Sequence, residues 1–484
     1  MALRRIVIVG GGISGLTVAY HLTRGPRPPR VTVLEAGSAP GGWVGSAAIA
    51  GYRVDTGPEA LLARMPAVQA LLADLGLDEA RRAPQGSAFI WARGALRPLP
   101  QSSVFGVPNK LMPLLRSGLV GPLGVLRAGA DLVLPRPRRL PPDPTIAQVL
   151  LPRFGSQVFA NMIEPLLGGV HAGDARRLSV RSAVPEVAAA VSGRRSIDLA
   201  LRGREPRTGS GPALIGFEGG IEQLVSAVAQ AVRAVPSAEI RCGTRVSRLD
   251  PLSPGGYRVT IEHGAELLAD DVVLAVPAPV AAALLAETAP DAAAAAAAIP
   301  HIGVATLVLA YAPSQIANPL AGTGFLVPPA DGRLLVGCTW LTSKWAHLRP
   351  ADGAPEKVLI RCMVGRDGQQ SWQDLDDEAL LAAVRRELAE SMGIHEPPEA
   401  VAIRRMPGAM PQYVAGHADR VAAIDAALVH RPGLHVIGSS FRGVGMASCI
   451  THAGLLAARM TSSMTAPNTT PSPDSPVVAH RGTR

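Results

Sequence analysis

The strongest indication of the fold is the segment Arg5-Ile6-Val7-Ile8-Val9, followed directly by Gly10-Gly11-Gly12-Ile13-Ser14-Gly15. Its first part is an apolar, β-branched run, which is typical of a strand buried on both faces of a parallel sheet. Apolar spacing from Ser14 to Arg24 predicts a helix that Gly25-Pro26 ends. Arg30 to Glu35 then predicts a second strand. The unit is therefore one βαβ motif whose two strands lie parallel and adjacent.

The glycines of this motif follow the pattern GxGxxG, and each has a physical role. Gly10 permits a tight turn, Gly12 lets the backbone approach a pyrophosphate, and Gly15 allows close packing of helix on strand. The N-terminus of the helix supplies unpaired N–H donors. Glu35 ends the second strand, where its carboxylate would accept hydrogen bonds from ribose hydroxyls. Together these features predict a dinucleotide-binding domain.

The length and composition of the chain exclude several protein classes. It has 484 residues, 48% of them hydrophobic, which is enough for more than one core. The longest apolar stretch, Val272 to Leu285, contains two prolines and is shorter than the roughly 20 residues that cross a bilayer. The apolar residues after Arg4 and Arg5 lead into glycines rather than a signal-peptide cleavage site. We therefore predict no transmembrane segment and a cytoplasmic protein.

The charge of the chain indicates the kind of partner it binds, and its motifs indicate which chemistry it lacks. A formal net charge of +9 favours an anionic partner, either a nucleic acid or a polycarboxylate. Aromatic residues are only 4% of the chain and no basic run exceeds two residues, which argues against nucleic acid. The four cysteines never form CxxC, and no Ser/His/Asp or HExxH pattern is present. We therefore predict neither a metal site nor hydrolytic chemistry.

Later segments have the patterns of the same nucleotide-binding layer. A helical pattern covers Gly219 to Val235, strand patterns cover Asp271 to Pro277 and His435 to Gly438, and a helix follows from Ala447 to Met460. The domain is therefore predicted to be discontinuous. The predicted division is a nucleotide-binding domain at 1–89, 211–299 and 411–460, a helical substrate-cavity insertion at 90–210, a β-rich substrate-binding domain at 300–410, and a disordered tail at 461–484.

Two further blocks identify the kind of dinucleotide. Ala36-Gly37-Ser38-Ala39-Pro40-Gly41-Gly42-Trp43 contains a second glycine pair, and Gly51-Tyr52-Arg53-Val54-Asp55-Thr56-Gly57-Pro58-Glu59 contains a Gly-Pro turn. This arrangement resembles the amine-oxidase and porphyrinogen-oxidase group of flavoproteins. The resemblance implies FAD as the cofactor and an α/β fold like that of amine oxidases. That fold has a discontinuous Rossmann-type FAD-binding domain, a mixed-sheet substrate domain and a helical insertion.

Three more blocks are similar to the porphyrinogen oxidases within that group: Glu164 to Ser182, Ala409 to Tyr413 and Gly443 to Ile450. Two subtypes differ in substrate, one oxidising protoporphyrinogen IX and the other coproporphyrinogen III. The neutral loop Leu99 to Pro108 is similar to the coproporphyrinogen subtype. That substrate carries four propionates and needs basic partners from elsewhere in the chain. A flavin amine oxidase or desaturase, and a non-catalytic FAD-binding porphyrin carrier, remain as alternatives.

The resemblance implies a set of cofactor contacts, many of them through the backbone. The residues are Gly10, Gly11, Gly12, Ile13, Ser14, Gly15, Glu35, Ala36, Gly41, Gly42, Trp43, Gly57, Pro58, Glu59, Ala60, Val246, Met406, Gly438, Val444, Gly445 and Met446. Met406 stands where the coproporphyrinogen subtype tends to have tryptophan, and Ser439 where an acidic or amide residue is common. Neither change removes a backbone contact, so FAD binding is expected to survive.

For catalysis the resemblance points to the backbone at Gly169 and to the neighbouring His171. A packed histidine is the alternative for His171, as a packed tyrosine with a satisfied hydroxyl is for Tyr413 beside the flavin. Three arginines, Arg176, Arg177 and Arg181, either meet propionates or are solvated surface charges. The apolar segment Leu111 to Leu134 is expected to cap the substrate cavity as a helix pair, with contact to a membrane as the alternative.

The expected reaction is hydride transfer from a meso carbon of the porphyrinogen to FAD, with loss of a pyrrole N–H proton. Three such cycles remove six electrons and give the porphyrin. Oxygen then accepts the electrons and leaves as hydrogen peroxide. The expected partners are coproporphyrinogen III, O2 and, transiently, a ferrochelatase that inserts iron into the product.

Overall fold

A computed structural model describes residues 3–25, 27–100, 103–104, 106–108, 110–135, 140–193, 195–202 and 212–465. The strands, in chain order, are β1 Arg5–Val9, β2 Arg30–Leu34, β3 Ser46–Ile49, β4 Tyr52–Asp55, β5 Leu61–Leu62, β6 Arg81–Arg82, β7 Ala88–Ala92, β8 Ala95–Pro98, β9 Ser103–Val104, β10 Val107–Pro108, β11 Leu214–Phe217, β12 Ala238–Arg241, β13 Val246–Pro251, β14 Tyr257–Ile261, β15 Glu266–Ala269, β16 Asp271–Leu274, β17 His301–Tyr311, β18 Gly324–Leu326, β19 Leu335–Trp340, β20 Val358–Val364, β21 Ala400–Pro411 and β22 Leu434–Val436.

The helices are distributed between and after these strands. In chain order they are α1 Ile13–Leu22, α2 Pro66–Asp74, α3 Leu111–Ser117, α4 Pro122–Gly129, α5 Ile146–Val158, α6 Glu164–His171, α7 Val180–Ala183, α8 Pro185–Gly193, α9 Ile197–Arg202, α10 Glu222–Arg233, α11 Ala278–Leu285, α12 Pro290–Ala297, α13 Leu341–Lys344, α14 Asp377–Met392, α15 His417–Val429 and α16 Met446–Thr465. Within the part of the chain described above, no helix is both long and apolar enough to cross a membrane.

The nucleotide-binding layer is a five-stranded parallel sheet with strand order β12-β2-β1-β16-β22. The predicted strands β1, β2, β16 and β22 therefore meet in one sheet although they span more than 400 residues of sequence. The short edge strand β12 was not predicted. One face of the sheet packs against α1, α10 and α16, and the other face packs against α11, α12 and α15. The discontinuous α/β arrangement is confirmed.

A second layer is a seven-stranded mixed sheet with strand order β21-β17-β20-β19-β18-β7-β8. Helix α14 packs on one face through Leu380, Val384 and Leu388. The β3–β4 hairpin, which follows the second glycine pair, contributes side chains to the cluster on the other face. Strands β7 and β8 join this sheet from the part of the chain that was predicted as a helical insertion. The parallel pairing of β7 with β18 links residues that lie more than 230 positions apart.

The third layer is helical and holds α3 to α9 around a buried core of its own. A buried ion pair between Arg153 and Asp131, with Nε and Oδ1 3.2 Å apart, joins α5 to the turn after α4. Asp131 also accepts hydrogen bonds from the hydroxyl of Ser196 and the N–H of Asp198. The segment Leu111 to Leu134 contains two short helices, α3 and α4, as predicted.

The predictions for the C-terminal tail and for the neutral loop extend beyond the described residues, and the start of the tail needs correction. The tail was predicted to be disordered from residue 461, but α16 continues to Thr465, because Met464 packs against the same core as Leu456, Ala457 and Met460. Residues 466–484 lie outside the described part of the chain. So do three residues of the neutral loop, Gln101, Ser102 and Phe105.

Candidate functional site

The glycines between β1 and α1 differ in what surrounds them. Gly10 has a φ of +106°, and a Cβ there would lie 2.5 Å from the carbonyl oxygen of Ala275. A Cβ on Gly15 would lie only 2.1 Å from the carbonyl oxygen of Gly10, so helix and strand could not pack as they do. A Cβ on Gly12 would meet no atom within 4 Å. Gly10 and Gly15 are thus needed by the fold, whereas Gly12 faces open space that a ligand can fill.

Glu35 lies at the end of β2 and is bound by the backbone on both sides of the strand. The N–H of Gly11 donates to Oε2 and the N–H of Gly37 donates to Oε1, both at 2.7 Å. A carboxylate has about four lone-pair sites, so both oxygens keep acceptor capacity for ribose hydroxyls. The two backbone bonds fix the carboxylate beside the glycine loop, which is the position that a dinucleotide site requires.

The second glycine pair lies against the first. The N–H of Gly41 donates to the carbonyl oxygen of Gly11 at 2.9 Å. A Cβ on Gly42 would lie 3.5 Å from the Cα of Gly12. Gly41 and Gly42 both have positive φ, at +140° and +62°, which other residues rarely adopt. The loop that follows Glu35 therefore folds back onto the fingerprint turn and forms one side of the same site.

Two helices begin at this edge of the parallel sheet. Ser14 in the first turn of α1 lies beside the thiol of Cys449 in the first turn of α16. Further along, a Cβ on Gly454 of α16 would lie 3.4 Å from Nε2 of His21 in α1, so the helices run in the same direction. Gly445, just before α16, also faces open space. Two adjacent helix N-termini direct N–H donors and partial positive charge toward one place, which suits a diphosphate.

Beside this edge, an apolar cluster brings together residues from four parts of the chain. It contains Ala172, Ile302, Val304, Met406 and Ala409, with Trp43 and Met410 packed against it. Trp43 follows the second glycine pair, and Met406 lies in β21. Cofactor sites are mostly apolar with a few placed polar groups. The tertiary structure thus joins two predicted cofactor residues, Trp43 and Met406, to the end of α6.

Helix α6 carries the two predicted catalytic positions. A Cβ on Gly169 would lie 2.9 Å from a methyl group of Leu326, so the backbone there packs closely on β18. His171 is only 7% exposed, and burial lowers its pKa to about 4, so the ring is neutral at pH 7. Its Nδ1 has no hydrogen-bond partner among the described residues. His171 is therefore a buried neutral imidazole with a free acceptor.

Glu59, in the Gly-Pro turn, is bound by two cations that sequence reasoning missed. Lys344 pairs with Oε1, and Arg361 pairs with Oε2 at 2.7 Å. Although burial raises the pKa of Glu59, the two cations lower it to about 2. Arg361 also donates to the carbonyl oxygen of Gly57 at 2.5 Å. The side chain of Glu59 thus stabilises the Gly-Pro turn through its ion pairs with Lys344 and Arg361. No local pattern marks Lys344 or Arg361, since both lie more than 280 residues from Glu59.

The remaining predicted cofactor residues lie in loops or at the ends of the strand and helix that adjoin them. Val246 begins β13, close behind Thr244, whose N–H donates to the carbonyl oxygen of Glu35 at 2.8 Å. Gly438, with φ of +128°, follows β22, and the loop from there through Val444 and Gly445 leads into Met446 at the start of α16. Pro58 and Ala60 flank Glu59 in the Gly-Pro turn.

The arginines considered for propionate binding are engaged within the protein. Arg176 pairs with Glu164 and Arg177 with Asp367. Arg181 donates to the carbonyl oxygen of Pro142 at 2.9 Å. Arg176 and Arg177 each remain more than half exposed. The solvated, locally paired alternative therefore describes these three side chains best.

Taken together, the donor set fits FAD. Gly12 and Gly445 leave space where helix N-termini can meet a diphosphate, Glu35 offers an acceptor for ribose, and an apolar cluster with Trp43 can contact a flat ring. Among the described residues, no group of three or more His, Cys, Asp or Glu side chains could hold a metal ion.

Comparison with known proteins agrees with this geometry. The sequence matches the family described as flavin containing amine oxidoreductase over residues 13–461. A coproporphyrinogen III oxidase from Bacillus subtilis is 31% identical over 464 residues, covering 92% of this chain and 96% of the relative. A coproporphyrinogen III oxidase from Mycobacterium leprae is 35% identical over 459 residues, covering 94% and 97%.

A similar solved structure is that of a putative protoporphyrinogen oxidase from Exiguobacterium sp. 255-15. It superposes with a TM-score of 0.83 at 29% identity and covers 96% of this chain and 100% of its own. Similarity therefore extends over all three layers of the fold rather than over the nucleotide-binding sheet alone.

Proposed function

The chain belongs to the family of flavin-containing amine oxidoreductases, and we propose that it oxidises coproporphyrinogen III to coproporphyrin III in haem biosynthesis. The observation that carries this proposal is the similarity, over more than nine-tenths of both chains, to proteins named coproporphyrinogen III oxidase from two distant bacteria. A likeness confined to the nucleotide-binding sheet would support only a dinucleotide site.

FAD is the cofactor, and when bound it supplies the two-electron acceptor for the reaction. Gly11, Gly12 and the first turns of α1 and α16 would hold the diphosphate, and Glu35 the ribose. The turns at Gly42 and Gly57, with Trp43 and Met406, would hold the ring. These assignments follow from the open space at Gly12 and from the apolar cluster.

Residues of α6 would act on the substrate from the side opposite the flavin. The backbone at Gly169 would polarise the tetrapyrrole, and the neutral ring of His171 would offer an acceptor for a pyrrole N–H proton. The pKa of about 4 keeps the His171 ring unprotonated at pH 7, so the lone pair of Nδ1 can accept a hydrogen bond from a pyrrole N–H. A meso carbon of the substrate loses a hydride and a pyrrole nitrogen loses a proton in each cycle. Three cycles remove six electrons, and a tautomerisation that moves one proton from the last meso CH2 to a pyrrole nitrogen completes the porphyrin. Three molecules of O2 become three of hydrogen peroxide.

Protoporphyrinogen IX is the second candidate substrate, because a solved structure that superposes along the whole chain is described as a putative oxidase of that compound. The two substrates differ in charge, with four propionates in one and two in the other. The neutral loop from Leu99 to Pro108 favours the four-propionate compound by its resemblance to that subtype.

We further propose a cytoplasmic enzyme that passes its product to a ferrochelatase. All four cysteines are unpaired thiols, which a reducing compartment favours. A free porphyrin is the product of the reaction, and iron insertion is the chemistry that consumes it. Transient contact with a ferrochelatase would transfer the porphyrin without its release into solution.

The deciding experiment is anaerobic stopped-flow reduction of the purified holoenzyme with each porphyrinogen, followed by air. Bleaching of the flavin by coproporphyrinogen III, and growth of a porphyrin Soret band after air, is the expected result. Faster bleaching by protoporphyrinogen IX would reverse the substrate assignment. Absence of bleaching by either compound would indicate a non-catalytic FAD-binding protein.

A further inference from the structure

Arg404 lies in β21 with its guanidinium among the turns assigned to the cofactor. Its Nη1 donates to the hydroxyl of Thr56 at 3.2 Å, and its Nη2 donates to the carbonyl oxygen of Gly42 at 3.4 Å. A Cβ on Gly45 would lie 2.6 Å from Nη1, and one on Gly57 3.4 Å from it. One side chain thus contacts both the second glycine pair and the Gly-Pro turn.

The face of β21 that carries Arg404 is the face that reaches the apolar cluster. Successive residues of a strand point to opposite faces, so Arg404 and Met406 share a face, and Met406 packs in the cluster with Trp43. The neighbouring Arg405 points the other way. It pairs with Asp377 at 2.8 Å and lies over the ring of Trp372.

The charge of Arg404 is not balanced nearby. Lys344 and Arg361, the other cations under these turns, share the carboxylate of Glu59. Arg404 has no carboxylate within 4 Å among the described residues. Glu222 attracts it only from a longer distance, since that carboxylate binds Ser46 and Arg53. Burial therefore lowers the pKa of Arg404.

A guanidinium has five N–H donors. Among the described residues, this one donates to two acceptors, both uncharged and at the long end of hydrogen-bond distance. Half-burying a cation without an anion costs free energy that a bound anion would recover. Gly42, to which Arg404 donates, lies against Gly12 of the fingerprint loop. The N–H groups of Arg404 that make neither of these hydrogen bonds therefore adjoin the space assigned to FAD.

We propose that Arg404 binds an anionic or carbonyl oxygen of FAD and supplies the positive charge that balances the cofactor in this site. The inference rests on the FAD-dependent function proposed above. Two parts of FAD carry such oxygens, the diphosphate and the pyrimidine edge of the isoalloxazine ring. Both are recognised by the same charge-assisted hydrogen bonds.

The test compares Arg404→Gln with Arg405→Gln, a matched control on the same strand whose arginine faces away. Apoprotein of each is titrated with FAD at about 0.05 and 0.3 M salt. Loss of a charge-assisted hydrogen bond predicts a Kd about 10- to 100-fold higher for Arg404→Gln, with a weaker dependence on salt. Arg405→Gln should match the wild-type Kd, and Arg404→Lys should recover part of the affinity.

The midpoint potential of the bound flavin shows whether Arg404 contacts the diphosphate or the isoalloxazine ring. A lower potential in Arg404→Gln would place Arg404 at the ring, because a positive charge there favours the reduced, anionic flavin. A raised Kd with an unchanged potential would place it at the diphosphate. An unchanged Kd for FAD and an unchanged potential would overturn the proposal. If the KM for coproporphyrinogen were raised while both stayed unchanged, Arg404 would instead be assigned to a substrate propionate. Because FAD titration needs no porphyrinogen, failure of the substrate assignment leaves this result interpretable.

Discussion

The rings of Tyr413 and His417 stack with their centroids 3.7 Å apart and their planes inclined by 15°. The hydroxyl of Tyr413 donates to the carbonyl oxygen of Ser439 and accepts from the N–H of Gly443, each at 2.6 Å. Nε2 of His417 donates to the carbonyl oxygen of Phe441 at 3.0 Å. The stacked pair therefore holds the loop that leads into the N-terminus of α16.

This contact gives Tyr413 a positioning role that the sequence left undecided. Replacing it with phenylalanine keeps the ring but leaves the N–H of Gly443 without its acceptor, which costs about 1–3 kcal/mol. Tyr413→Phe should therefore raise the Kd for FAD about tenfold, measured by titration of apoprotein. Tyr311→Phe is the control, because the hydroxyl of Tyr311 is buried with no hydrogen-bond partner among the described residues. Equal loss of stability in apo- and holoprotein, with an unchanged Kd, would contradict this role.

Gly12→Val should abolish FAD binding while the apoprotein still folds. Gly12 has a φ of −71°, which any residue adopts, and its Cβ position is open. The added side chain would instead occupy the space of the diphosphate. Gly15→Ala is the contrasting variant, since its Cβ would clash with the backbone of Gly10 and destabilise the apoprotein. Thermal unfolding and flavin content of both variants test this. Gly12→Val purified with a full flavin complement would refute the site.

Glu59→Gln should destabilise the protein by about 3–5 kcal/mol in urea unfolding, because it leaves Lys344 and Arg361 without their shared carboxylate. The pKa of Glu59 is lowered, so its contribution is complete above its ordinary pKa and is lost as the pH falls toward about 2. Glu287→Gln removes an exposed ion pair with Arg248 and should change stability by less than about 1 kcal/mol. A similar decrease in the free energy of unfolding for both variants would mean that the contacts of Glu59 stabilise the protein no more than an exposed ion pair does.

Asp55→Asn should stabilise the protein at high pH. Burial raises the pKa of Asp55 to about 6, although the N–H of Ile221 donates to it and lowers the pKa. A raised carboxyl pKa means that the folded state favours the protonated form, so stability falls as the pH rises from the ordinary carboxyl pKa to about 6 and is then constant. The variant should gain up to about 3 kcal/mol at pH 8 and nothing below about pH 4. Urea unfolding across this range tests it, and a gain that does not vary with pH would contradict the assignment.

The parts predicted well from sequence are those whose cause is local. The βαβ motif from Arg5 to Glu35 depends on a strand pattern, a helix pattern and three glycines within about 30 residues. The hydrophobic runs at Asp271 and His435 could be assigned to the same layer because a strand buried on both faces is apolar throughout. The boundary at residue 461 was wrong, because apolar residues near the end of α16 continue to pack after the composition becomes polar.

The glycine loop and its acidic residue can be predicted from local sequence, because Gly15 packs on Gly10 and Glu35 is bound by Gly11 and Gly37, all within one motif. The side chains that support this loop, by contrast, are brought to it by contacts between distant parts of the chain. Lys344 and Arg361 reach Glu59, and Arg404 reaches Gly42, across separations of 285 to 362 residues. Such contacts depend on how β21 and the seven-stranded sheet pack beside the glycine loops, and no spacing along the chain encodes that packing.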